Sequence, residues 1–218
     1  MKGLIFRFPA VKRKSLSKSD VLYYFRRYGL VGFLVASLLA GLVTGAIIAK
    51  NADVNLMKSL DFIFVTDFQA KLNQSIFITF AAAMTSYFIF FITEFLLGLS
   101  AWGAVGVPIV IFFKGMGIGL SSGYLYNAKG LQGVGFYLLV MLLGVVASSV
   151  ALVAQGKGAV SFANSIWYKL YNKKSSAVAS EPVITKYLVD SSYVLIGIAI
   201  AALVDALLTT FFSGLFNF

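Results

Sequence analysis

The stretch VGVPIVIFFKGMGIGLSSGYLY, Val105 to Tyr126, is apolar enough and long enough to cross a bilayer, yet it carries a lysine near its middle. A lysine centred in hydrocarbon costs roughly 2.5 to 3.5 kcal/mol on insertion scales, so Lys114 has to turn inward, pair with a carboxylate or snorkel to the surface. Gly115, Gly119 and Gly123 recur every four residues, and on a helix they form one smooth groove where another backbone can approach closely. The stretch therefore belongs at the packed centre of a small membrane bundle.

Composition agrees with that placement. Charged residues are only 12% of the 218, against about 25% in soluble domains. The apolar residues fall in several long blocks, which excludes a single anchor attached to a soluble domain. The formal charge of +10 raises the question of nucleic acid. Its lysines and arginines cluster beside apolar spans, however, where they act as topology signals and as contacts to anionic lipid, above all in the basic leader. No nucleic-acid partner is expected. The chain has neither cysteine nor histidine, which removes disulfides, thiol catalysis, haem ligation by histidine and ordinary zinc sites. No HExxH, GxSxG or nucleotide-binding loop is present, and the glycines of GMGIGLSSG lie inside a span. No cofactor, metal or enzymatic activity is expected.

Residues 1–27 read as a basic cytoplasmic leader, with eight lysines and arginines against Asp20 and no small-residue cleavage site. The first span is placed at 28–49, where Gly41 and Gly45 make a GxxxG pair that marks helix packing. Residues 50–74 mix charges with Leu56, Leu60, Phe64 and Phe68 at helical intervals. This pattern predicts an amphipathic helix lying in the outer interface, with a docking surface for an extracytoplasmic partner as the functional alternative.

From residue 75 to 126 the chain is too long for one crossing, so it divides into spans at 76–98 and 105–126 around a turn containing Ser100, Trp102 and Gly103. Pro108 then falls in the first turn of the third span. A short connection at 127–130 leads to a fourth span, 131–154, with a small-residue face of Gly144, Ala147, Ser148 and Ala151. Residues 155–186 read as a cytoplasmic loop holding a second interfacial helix, marked by Phe162, Ile166, Trp167 and Leu170, followed by the linker KKSSAVASEP. A fifth span, 187–212, contains Asp205.

The expected fold is all-α: a polytopic five-transmembrane-helix bundle with two short interfacial amphipathic helices. Lysine and arginine number thirteen on one side of it and four on the other. This asymmetry places the N-terminus in the cytoplasm and the C-terminus outside the cell membrane. Measured inward from the cytoplasmic ends, Glu94 lies about four residues deep, Lys114 about nine and Asp205 about fourteen to eighteen. An offset of five residues is roughly 7 Å along a helix axis, which a lysine stem bridges. Lys114 is accordingly expected to pair with Glu94 or Asp205. The same three charges could instead form a relay in a transporter or permease subunit. Against that, the chain has no internal repeat and no matching broken spans, and five spans cannot divide into two equal inverted units.

The run FLLGLSAWGAVGVPIVIFFKGMGIGLSSGYLYNAKGLQGVGFYLLVMLLG, Phe95 to Gly144, resembles the stage II sporulation protein M family of endospore-forming bacteria. The block Phe112 to Tyr126 and the following Lys129-Gly130-Leu131 and Gly133 carry most of the likeness, and the order of leader, spans and outer segment agrees. Many family members have a proline followed by a polar residue in the fourth span, where this chain reads VMLLGVVASSVALVAQ. The resemblance implies a non-enzymatic membrane scaffold that recruits peptidoglycan-degrading partners during forespore engulfment. Those partners are the family's membrane-anchored sporulation proteins D and P, a lytic transglycosylase and an amidase/endopeptidase.

Overall fold

The computed structural model describes residues 18–51, 75–171 and 181–212. These form five long helices: α1 (Lys18–Asn51), α2 (Ile76–Gly98), α3 (Gly103–Phe136), α4 (Leu142–Tyr171) and α5 (Glu181–Phe212), with a π-helical turn, Tyr137–Met141, leading into α4. Each of the five contributes a segment long and apolar enough to cross a membrane, so the chain is an all-α, multi-pass membrane bundle. The first predicted interfacial helix, with Leu56, Leu60, Phe64 and Phe68, lies outside the described residues, as do positions 1–17 of the leader.

The helices pack as α1 against α3 on one side and α2 against α5 on the other, with α4 between them touching both pairs. One end of the bundle holds the tight turn between α2 and α3, where the Ser100 amide donates to Leu97 O at 2.9 Å and Gly103 N–H donates to Ser100 O at 3.1 Å. At the other end the Asn127 amide donates to Ala49 O at 2.8 Å, tying α3 to the end of α1. Exposed side chains such as Phe33, Leu39, Val146, Ile200 and Phe211 cover the outside. That is the surface expected where the solvent is lipid.

The α1–α3 seam is built on glycine. A Cβ at Gly115 would overlap the carbonyl oxygen of Leu38, one at Gly119 that of Leu42, one at Gly41 that of Phe112 and one at Gly45 that of Met116. Gly123 meets the methyl group of Ala49 at the end of the same seam. All five glycines singled out in the sequence thus lie along one intramolecular contact, so the Gly41/Gly45 pair is used within the chain. Ser37 adds a hydroxyl donated to Pro108 O at 2.7 Å.

Four boundaries differ from the sequence reading. The connection expected at 127–130 contracts to a kink at Gly130, whose φ of 58° lies in the region that favours glycine. Pro108 sits in the second turn of α3, because that helix starts at Gly103. The predicted cytoplasmic loop at 155–186 is largely absent: residues 155–171 continue α4, and 181–186 are the first turns of α5. The second interfacial helix is correspondingly not a separate element. Its Phe162 stacks on Tyr187 with ring centroids 4.7 Å apart, and Ala159 and Ala163 are wholly buried. Packing against α2 and α5 therefore carries α4 well past the end of its apolar run.

Candidate functional site

Three helices deliver the charged residues to the interior. Lys114 comes from the middle of α3, beside the glycine seam, and is 6% exposed. Its ammonium lies 4.5 Å from the centroid of the Tyr87 ring and 5.0 Å from that of Phe90, both on α2. Aromatic faces present negative charge to a cation, so the two rings help to solvate the buried ammonium.

Glu94 lies on the buried stripe of α2, Tyr87, Phe91, Glu94 and Gly98, a spacing that keeps one helical face turned inward. Its side chain is fully buried, and neither carboxylate oxygen has a hydrogen-bond partner among the described residues. The charge of Lys114 acts on it electrostatically. Asp205, from α5, is 1% exposed and faces the same cavity as Lys114. Gly144 makes room for it: an added Cβ there would come within 2.7 Å of Asp205 Cβ and 2.9 Å of its Oδ1. The glycine at this point of the fourth span thus has a steric reason. Lys114 thus shares a cavity with Asp205 and acts electrostatically on Glu94.

Around these charges lies a shell of hydroxyls. Tyr87 and Tyr137 line the same cavity as Asp205, and the Tyr87 hydroxyl meets Ser148. With Ser86 and Ser121 the two tyrosines line this cavity of about 50 Å³, room for a few water molecules but not for a solute. A second polar group lies towards the α2–α3 turn. There the Gln155 amide donates to Ser191 Oγ at 3.0 Å and Tyr187 Oη at 3.4 Å, and the Tyr187 hydroxyl donates to Phe95 O at 3.0 Å. Tyr187 is held between the rings of Phe95 and Phe162, with centroids at 5.5 and 4.7 Å.

None of Tyr87, Tyr137, Ser148, Gln155, Tyr187 or Ser191 stood out in the sequence as a site residue. The available signal was the seven-residue offset from Tyr87 to Glu94, which places both on one helical face. Among the described residues no three acidic, histidine or cysteine side chains come together to hold a metal ion. Chemically the arrangement sets one buried ammonium against two buried carboxyl groups.

No family model, curated protein or solved structure matches this chain.

Proposed function

We propose that this chain is a non-enzymatic integral scaffold of the cell membrane, a rigid five-helix platform that recruits and positions peptidoglycan-degrading partners during forespore engulfment. The observation that carries the scaffold reading is the filled interior. The α1–α3 backbones are locked by glycine contacts, and the cavity at Lys114 and Asp205 measures only about 50 Å³. A platform needs fixed geometry, whereas a permease needs a site for its substrate near the midplane. The engulfment role and the hydrolase partners rest on the sequence resemblance through Phe112–Tyr126. The orientation, N-terminus inside and C-terminus outside, rests on the distribution of lysine and arginine, and the leader's contact with anionic lipid rests on its charge.

A photocrosslinker placed at Leu60 or Phe64 tests this reading in membranes of spore-forming cells. Capture of cell-wall hydrolases supports it. Capture of transport components alone overturns it and favours the second reading, a transporter or permease subunit. The observation favouring that alternative is the trio Lys114, Glu94 and Asp205, since intramembrane acids paired with a base are what proton relays use.

A further inference from the structure

Between α4 and α5, towards the α2–α3 turn, the bundle surface opens into a groove of about 560 Å³. Its rim carries Lys157 from α4 and Lys186 and Asp190 from α5, all exposed. Ser161 and Ser165 follow on the α4 wall. The floor is the Gln155–Tyr187–Ser191 set, whose hydrogen bonds to one another are already made. The Ser165 hydroxyl is likewise given to Phe162 O at 2.7 Å, which leaves the rim charges and the Ser161 hydroxyl to face whatever enters. Ala154 and Val194 continue the walls as apolar surface.

The depth of the groove limits its occupant. Tyr28, Trp102, Trp167 and Tyr168, between 52% and 74% exposed, ring the same end of the bundle. Exposed tryptophan and tyrosine mark the level of lipid headgroups. Two lysines at that level, with hydroxyls beside them and apolar walls alongside, present an anion site above a channel for an acyl chain. Basic clefts between transmembrane helices recognise lipid headgroups by this combination.

We infer that the α4–α5 groove binds one anionic phospholipid, its phosphate held between Lys157 and Lys186 with Ser161 donating, and its acyl chain lying on Ala154 and Val194. The site is separate from the basic leader. Asp190 stands on the same rim and opposes the phosphate, which sets the affinity below that of the two lysines alone. Gly158 borders the open space of the groove, since a Cβ there would meet only the Tyr187 ring, at 4.0 Å.

Native mass spectrometry of the full chain tests this by comparing retention of phosphatidylglycerol with that of phosphatidylcholine. A surface lysine contributes about fivefold in affinity for anionic lipid, so Lys157→Gln with Lys186→Gln is expected to weaken phosphatidylglycerol binding by about 25-fold. Asp190→Asn should strengthen it by about threefold, an effect opposite in sign to any loss of fold. Gly158→Leu, which fills the groove without changing charge, should weaken it, and Lys50→Gln at the far end should leave it unchanged. Equal retention of the two lipids by the natural chain overturns the proposal. So does full phosphatidylglycerol binding by the double lysine variant or by Gly158→Leu, or displacement of the lipid by millimolar inorganic phosphate, which would make this a site for free phosphate.

Discussion

Lys114 shows how a single side chain fixes what its neighbours must be. Its ammonium is 6% exposed, and the Tyr87 ring 4.5 Å away supplies an attraction that reaches about 2 kcal/mol or more when both groups are desolvated. Removing the positive charge would strand Glu94 and Asp205 in the interior, and breaking a buried charge set from one side costs about 3 to 5 kcal/mol. Lys114→Met is therefore expected to destabilise the detergent-solubilised protein by that amount. Adding Asp205→Asn should recover more than half of the loss, because it removes the carboxylate that shares the cavity. A double-mutant cycle from unfolding titrations reads this directly, and a coupling below about 0.5 kcal/mol would show that the two residues act independently. The three charges were legible in the sequence because each interrupts an apolar run. Their shell was largely not: beyond the offset from Tyr87 to Glu94, tyrosine and serine occur throughout apolar helices, and nothing in the order of residues distinguishes Tyr137, which lines the cavity with Asp205, from Tyr193, which is 70% exposed.

Among the elements, α3 was the most legible and α4 the least, and both outcomes have a steric origin. The four-residue glycine period of α3 has one use on a helix, and the partner that fills it is the matching Gly41/Gly45 edge of α1. The apolar run of the fourth helix ends at Ala154, where polar residues begin. Gln155 is nevertheless buried, its amide taken up by Ser191 and Tyr187, and the stripe Gly156, Ala159, Ala163 keeps one face narrow enough to pack. Composition averaged over a window loses a face of that kind. The seam makes a sharp prediction. Gly119→Ala places a methyl group on the Leu42 carbonyl oxygen and must push α1 away, at a cost of about 1 to 3 kcal/mol for overpacking. Gly32→Ala, on the same α1 where nothing lies within 4 Å, should be neutral or stabilising by up to about 1 kcal/mol through helix propensity. Thermal melts of the two variants side by side check this, and equal effects would deny the seam its role.

For the whole molecule, the question is which end faces the cytoplasm, because the scaffold proposal requires residues 50–74 to meet partners outside. Five crossings place the α2–α3 turn and the Asn51 end of α1 on opposite faces of the membrane, a consequence of connectivity that holds for either orientation. The proposed orientation, which rests on the excess of lysine and arginine before residue 28 and after the α4 apolar run, puts the α2–α3 turn inside. The chain has no cysteine, so single introduced thiols report without background. In intact cells a membrane-impermeant maleimide is expected to label Asn51→Cys, and Ser100→Cys only after permeabilisation. Labelling of both from outside would remove the odd number of crossings. The reverse pattern would keep the bundle but turn residues 50–74 inward, away from the cell wall, and with them the surface through which the proposed scaffold would hold its hydrolases.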